Sequence, residues 1–160
     1  MSELIEELRI IDEGGNSLFD FEAQYIVPLY QRAYAWEEKE IVQLIHDIYY
    51  MEQEESATYY LGSLIVSRNG NEYEVIDGQQ RLTTLFIVLK CLYEKGALTQ
   101  AVSNTLRFSC RDKSNYTLQN LFRLIEGDRI EESIRAGRDI VLCELNKVDF
   151  SVNRFTEFLK

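Results

Sequence analysis

The chain has 160 residues, of which 46% are hydrophobic and 28% are charged, a composition typical of a globular domain with its own core. No apolar run approaches the roughly 20 residues that span a membrane, and the acidic start lacks the features of a secretory signal, so we expect a cytoplasmic protein. The net charge is −10, and residues 1–55 carry the excess, with fourteen acids against three bases. Such a surface opposes general binding to a phosphate backbone, so DNA would need a local basic face.

Cysteine and histidine usage excludes several kinds of site. Cys91, Cys110 and Cys143 are odd in number and far apart, which predicts buried thiols rather than a zinc or dithiol site. His46 is the only histidine, so this chain cannot hold the histidine-rich metal centre of an HNH nuclease. We expect His46 to be a satisfied or exposed helical residue. A glycine run ending in lysine is absent, which excludes a conventional P-loop enzyme.

The first part of the chain predicts two helices around an extended segment. Apolar residues recur at helical spacing in residues 2–11 and 37–51, and both patterns carry glutamates near the start, where they favour a helix. Residues 18–27 suggest extended structure that leads into Pro28, and an aromatic, amide-rich loop follows. We assign Trp36 to packing at the start of the second helix. The acidic run after that helix predicts a solvated linker at residues 52–56.

A hairpin and a long helix are expected next. Residues 58–67 and 72–76 have strand character and are joined by an Asn-Gly turn, and Gly62 marks a bulge or a close backbone approach beside the same junction. Residues 79–94 show the strongest helical periodicity in the chain, and Gly96 provides a stop.

The second half is predicted to be mostly helical. A weaker helix is expected at residues 99–106, and a short strand or extended loop at 106–111. Further helices are expected from Ser114 to Ile125 and from Asp128 to Leu145, and a last one opened by Asp149 or Ser151. One local basic cluster falls in this half and comprises Arg107, Arg111 and Lys113. It could hold a nucleic acid or a triphosphate tail, although such clusters are more often ordinary surface.

The most informative stretch, residues 75–85, passes from a strand into a helix through Asp77 and Gly78. A glycine there permits a sharp turn, and the free N–H groups of the following helix favour an anion. The first turn and a half adds side-chain donors from Gln79, Gln80, Arg81, Thr83 and Thr84. The alternative is a plain junction, in which Asp77 caps the helix and Arg81 is a surface charge.

Three segments carry a family pattern: Pro-Leu-Tyr-Gln-Arg at residues 28–32 with Trp36 after it, Leu-Gly-Ser at 61–63, and Asp-Gly-Gln-Gln-Arg at 77–81 followed by Leu-Thr-Thr-Leu. Together they resemble the N-terminal domain of the GmrSD-type modification-dependent restriction endonucleases, a prokaryotic anti-phage family. The resemblance is specific over residues 20–92 and weak after that.

The order of the predicted elements indicates a small α+β unit up to about residue 95, followed by a helical half. The resemblance implies that the mixed sheet of this unit is ParB/sulfiredoxin-like. Residues 1–95 would form this nucleotide-binding part and residues 96–160 a helical extension, with a C-terminal nuclease region following in a longer protein. The resemblance further implies that a nucleoside triphosphate is bound and hydrolysed with Mg²⁺, coupled to DNA cleavage by the full-length protein. A homo-oligomer is compatible with this organisation.

Residue roles follow from the same resemblance. Asp77 and Arg81 would be catalytic, with Asp77 holding Mg²⁺, acting as a base, or only securing the turn. The phosphates would meet Gln31, Arg32, Gly78, Gln79, Gln80 and Thr83. Without the resemblance, Arg32 is slightly better explained as a cation stacked on a neighbouring aromatic ring. Glu74 could support the metal, although a solvent-facing strand position is the better explanation.

Two other functions stay open at this stage. One is a nucleotide sensor that binds a triphosphate without turnover and changes assembly or releases a nuclease domain. The other is a ParB-like DNA-binding or nuclease module, whose DNA affinity would fall steeply with salt. The acidic charge argues against the second.

Overall fold

The computed structural model describes residues 10–11, 18–19, 24–51 and 61–160. In order, the elements there are β1 (Gln24–Val27), α1 (Glu38–Tyr49), β2 (Ile65–Asn69), β3 (Glu72–Asp77), α2 (Gln79–Glu94), β4 (Leu106–Phe108), α3 (Asp112–Gln119), α4 (Glu132–Leu145) and α5 (Val152–Phe158). A small mixed sheet with helices confirms the predicted α+β class. The ParB/sulfiredoxin assignment stays a prediction.

The sheet has the strand order β2-β3-β1-β4. β1 pairs in parallel with both β3 and β4, whereas β2 and β3 form the predicted antiparallel hairpin. The three parallel strands therefore end at the same edge of the sheet, where the loops that begin at Pro28, Gly78 and Ser109 emerge. Open sheets with parallel strands commonly bind ligands at this carboxyl edge.

Alternating burial along the strands shows that one face of the sheet belongs to the core. The inward residues Tyr25, Val27, Val75, Leu106 and Phe108 are at most 4% exposed, and they share one hydrophobic cluster with residues of the helices. The neighbouring strand positions are exposed or half-buried. This period of two is what a half-buried sheet requires. The same cluster contains residues on both sides of position 95, and the proposed division of the chain there stays a prediction.

α2 is the central helix of the core. Its bounds agree with the predicted helix at residues 79–94, and from Leu82 to Leu89 every residue is buried. Gly96 has φ 75° directly after the last turn, so the predicted glycine stop is confirmed.

The weak helix predicted at residues 99–106 is wrong, because residues 99–105 form no helix and β4 begins at Leu106. Thr105 O accepts a hydrogen bond from Tyr25 N at 2.7 Å, and β4 begins at the next residue. Lys90 Nζ also donates to Val102 O at 3.0 Å, which ties the segment to α2. Pairing with β1 therefore outweighs the modest local helix propensity. The short-strand interpretation of the following residues is confirmed.

The last three helices exist, but their ends differ from the prediction. Ser114 lies inside α3 and is only 1% exposed, so it does not cap the helix. α4 starts after Glu131 rather than Asp128, because Glu131 N donates to the side chain of Thr117 at 2.8 Å and is fixed there. Ser151 opens α5 as predicted, its Oγ accepting a first-turn N–H at 3.3 Å.

The cysteines and the histidine have separate outcomes. Cys91 is buried as predicted, and burial raises the pKa of its thiol to about 12. Cys110 and Cys143 are exposed, so the prediction of buried thiols is wrong for these two. His46 Nε2 lies 3.1 Å from Glu144 Oε2 and joins α1 to α4, which confirms it as a satisfied helical histidine.

Several predictions lie outside the described residues. They are the helix at residues 2–11, apart from its last two positions, the acidic linker at 52–56, and the first part of the strand at 58–67. No helix in the part of the chain that the structure describes is both long and apolar enough to cross a membrane.

Candidate functional site

The candidate site lies where β3 ends and α2 begins. Gly78 has φ 93° and ψ 11°, a left-handed conformation, and Asp77 Oδ1 accepts a hydrogen bond from Gly78 N at 2.9 Å. A Cβ added to Gly78 would lie 2.9 Å from Ser63 O. The segment before β2 therefore packs directly on the turn, which confirms the predicted sharp turn and close backbone approach.

The start of α2 presents backbone donors. The first bond of the helical ladder runs from Leu82 N to Gly78 O at 2.9 Å, so the N–H groups of residues 79–81 precede the ladder. Gly78 offers no side chain as a cap, and the first turn contains no acid. The positive end of the helix dipole is therefore not neutralised within its own first turn, which favours an anion.

The loop after β1 lies across this first turn. Gln31 Nε2 donates to Ile76 O at 2.8 Å, and Gln79 Nε2 donates to Gln31 Oε1 at 3.0 Å. The structure thus brings Gln31 and Gln79 together at the end of β3. Arg32, the next residue of the loop, is exposed.

Gln80 holds the loop one step further along. Its Nε2 donates to Ala33 O at 3.0 Å, and its Oε1 accepts from Ala35 N at 2.8 Å. The side chain is only 8% exposed, so both ends of the amide are used inside the protein. In this structure Gln79 and Gln80 secure the loop, and phosphate binding by their side chains stays a prediction.

Tyr34 anchors the same loop in the core, a role that the sequence did not reveal. Thr84 Oγ1 donates to Gln80 O at 2.9 Å, so the hydrogen of the Tyr34 hydroxyl is the one that joins it to Thr84, at 2.8 Å. The ring packs against α4, where a Cβ added to Gly137 would lie 3.1 Å from Tyr34 Cε1. Burial raises the pKa of Tyr34 to about 12.

This shift predicts a loss of stability in alkali. Below pH 10, the usual pKa, the phenol is protonated in both the folded and the unfolded chain, so its contribution is fully present. Between pH 10 and about 12 only the unfolded chain loses the proton, which lowers the free energy of unfolding by up to about 1.4 kcal/mol per pH unit. We expect Tyr34→Phe to show a shallower fall over this range in urea titrations. Equal slopes for the two proteins would contradict the assignment.

Arg81 lies on the other side of the turn. Gly62 has φ 129°, and a Cβ added to it would overlap the Arg81 guanidinium, so that group rests against the glycine backbone. The close approach predicted at Gly62 is therefore confirmed. Arg81 also lines a cleft of about 210 Å³ whose other lining residues are Trp36, Glu40, Gln43, Leu44, Asp47 and Leu61.

Arg32 and Arg81 share one property. Within the described residues, neither guanidinium makes a hydrogen bond or an ion pair. Trp36 packs against the core beside the cleft, which confirms its packing role. The structure shows no direct contact between Arg32 and Arg81. Arg32 belongs to the loop after β1, whereas Arg81 lines the cleft.

Thr83 lies behind the turn. It is fully buried, and its Oγ1 donates to Gln79 O at 2.7 Å within the helix. Its hydroxyl is therefore used by the backbone, and phosphate binding by Thr83 stays a prediction.

Asp77 is the carboxylate at the turn. It is exposed, and Oδ1 is occupied by Gly78 N, which leaves Oδ2 without a partner in the described part of the chain. Glu74 accepts a hydrogen bond from the Tyr30 hydroxyl at 3.0 Å and faces solvent, as its strand position predicted. Among the described residues no three acidic, histidine or cysteine groups cluster as a metal site. One carboxylate suits Mg²⁺ only where phosphates and water supply its other ligands.

Arg111 also reaches this edge, which the sequence did not reveal. It follows β4, and its Nη2 donates to Gln31 O at 3.2 Å. Arg107 belonged to the same basic cluster, yet it lies on the exposed face of the sheet, 3.9 Å from Glu72. Arg111 differs from Arg107 in that it follows the end of a third parallel strand. This difference is visible only once the order of the strands in the sheet is known.

Comparison with known proteins gave one match. The family model described as the GmrSD restriction endonuclease N-terminal domain matches residues 16–157. No curated protein and no solved structure matches the chain. The matched range extends well past the three motifs and includes α5 except for its last residue, so the helical second half is part of the same family pattern.

Proposed function

The chain belongs to the family of GmrSD restriction endonuclease N-terminal domains, with a nuclease-associated role in phage defence, and on that premise we propose that it binds and hydrolyses a nucleoside triphosphate. The site is the carboxyl edge of β1, β3 and β4. Hydrolysis there regulates DNA cleavage by a nuclease region of the full-length protein.

One observation carries the proposal: the N-terminus of α2 has no side-chain cap, and two arginines without ion pairs among the described residues belong to its first turn and to the loop that lies across it. Arg32 belongs to the loop that lies across the Gly78 turn, and Arg81 lines the cleft beside the turn, which also contains Glu40 and Asp47. Neither guanidinium makes an ion pair within the described residues. In a protein of net charge −10, acids to pair with them are abundant. Two arginines left free beside backbone donors favour a ligand with several negative charges, as a triphosphate has.

The residues present can perform most of the work of phosphoryl transfer, which is positioning and electrostatic stabilisation. The N–H groups at the start of α2 and Arg81 bind the phosphate oxygens, and Arg32 approaches from the loop. Gln79 and Gln80 keep the loop, and hence Arg32, in place. Asp77 would hold Mg²⁺ together with the phosphates, or would accept a proton from the attacking water. The metal, when bound, neutralises charge on the phosphates.

Calorimetric titration of each ribonucleoside triphosphate with Mg²⁺, followed by phosphate-release assays on the same samples, tests this function. Binding with release is the expected result. Binding without release identifies the nucleotide sensor instead. A chain that binds no triphosphate, but binds DNA with a steep salt dependence, identifies the DNA-binding module.

Asp77→Asn separates binding from hydrolysis. The amide oxygen of asparagine still accepts the hydrogen bond from Gly78 N, so the turn is kept while the charge is removed. We expect phosphate release to fall at least about 100-fold, the usual effect of losing a proton acceptor or metal ligand, with triphosphate binding retained. Glu74→Gln is the control, because this exposed carboxylate lies two residues upstream and contacts Tyr30 instead. Full turnover by Asp77→Asn would exclude Asp77 from the chemistry.

A further inference from the structure

The loop between β4 and α3 has an unusual backbone. Cys110 has φ 57°, a left-handed value that side chains other than glycine rarely adopt, and it lies directly before Arg111. Such a conformation persists only where the surroundings impose it, and it is often found at binding sites. The turn aims the Arg111 side chain back across the sheet edge toward the loop after β1.

The surroundings that impose it are visible. Asn115 Oδ1 accepts from Phe108 N at 2.8 Å, and its Nδ2 donates to Phe108 O at 2.9 Å. Ser109 N donates to Val27 O at 2.9 Å. The end of β4 is thus held from α3 and from β1, and the strained residue follows a rigid segment.

The Arg111 guanidinium has hydrogen-bond donors that are not used at this position. Of its donors, the structure engages Nη2 alone, with Gln31 O, and no carboxylate pairs with the guanidinium in the described part of the chain. A single hydrogen bond to a carbonyl oxygen does not require a positive charge. Gln31 in turn contacts Ile76 O and Gln79, so Arg111 is one side chain away from the Gly78 turn.

We propose that Arg111 is a third phosphate-binding arginine, which contacts the phosphate chain of the nucleotide from the β4 side. The inference rests on the proposed function. It extends the proposed site from the ends of β1 and β3 to the end of β4. The bond to Gln31 O positions the guanidinium, and the remaining N–H groups bind the ligand. Three arginines then surround a triphosphate: Arg32, Arg81 and Arg111.

Charge and hydrogen bonding at this position can be tested separately. Arg111→Lys keeps the charge, whereas Arg111→Gln keeps a donor for Gln31 O and loses the charge. We expect Arg111→Gln to bind the Mg²⁺ triphosphate about tenfold more weakly than the parent chain, and Arg111→Lys to stay within about threefold. Calorimetry measures both, with thermal unfolding of each ligand-free variant as the check on folding.

Arg107→Ala is the matched control, because this arginine lies four residues upstream, on the exposed sheet face, and is expected to leave affinity unchanged. Equal affinity of Arg111→Gln and the parent would overturn the inference and leave the proposed function intact. Equal losses of affinity in the lysine and glutamine variants would also overturn the inference. They would show that Arg111 acts only by holding the loop in position. Failure of the parent chain to bind any triphosphate would overturn both.

Discussion

Replacing Arg81 with alanine is expected to weaken binding of the Mg²⁺ triphosphate about 10- to 100-fold, the usual worth of charge-assisted hydrogen bonds from one guanidinium. The loss is large because this arginine rests against Gly62 and makes no ion pair within the described residues, so its charge is free for the ligand. Calorimetric titration measures the change. Arg123→Ala is the control, since this exposed arginine also lacks an ion pair there and lies outside the site.

A second variant displaces the Arg81 guanidinium without removing it. Gly62→Ala places a Cβ where the Arg81 guanidinium lies, so the guanidinium must move. The guanidinium end of the Arg81 side chain can move, but Gly62 has φ 129°, which strains any residue other than glycine, so we expect both the affinity for the triphosphate and the free energy of unfolding to fall. Unchanged affinity in both variants would show that Arg81 serves only to pack the segment before β2.

Gly78→Ala is expected to lower the free energy of unfolding by about 2–4 kcal/mol, which combines the cost of a left-handed conformation with a steric clash. The backbone there has φ 93°, and the added Cβ would lie 2.9 Å from Ser63 O. Because the clashing atom belongs to the backbone, relief requires the segment before β2 to move away from the turn. Urea unfolding monitored by circular dichroism gives the value.

Gly70→Ala provides the matched control for this experiment. Its φ is 64°, also left-handed, but an added Cβ would meet nothing within 4 Å. We expect a loss of about 1–2 kcal/mol from the backbone conformation alone. Equal losses at Gly70 and Gly78 would show that contact with Ser63 contributes nothing to the stability of the turn.

Local patterns predicted the elements that local forces determine. α2 was predicted with its observed bounds because its apolar periodicity and its glycine stop both lie within the segment. The β2-β3 hairpin followed from an Asn-Gly turn between two strand patterns, and Ser151 was one of the two residues predicted to open the last helix. In each case the residues that decide the structure are close together in the chain.

Predictions failed where a distant partner decides the conformation. Residues 99–105 form no helix because β1 binds the end of this segment, and α4 begins late because Thr117 binds Glu131 N. Exposure of Cys110 and Cys143 likewise depends on how α3 and α4 pack, which spacing along the chain does not encode. These contacts join residues far apart in sequence.

The sequence by itself determined the family, the α+β class and the turn at Asp77 and Gly78, because a short motif and local periodicity encode them. Only the tertiary structure decided which motif side chains are free. Gln80 looked like a ligand and is used to hold the loop, whereas Arg111 looked like surface and lies at the site. The physical reason is that a side chain's availability depends on its hydrogen-bond partners, and three parallel strands bring those partners together from distant parts of the chain.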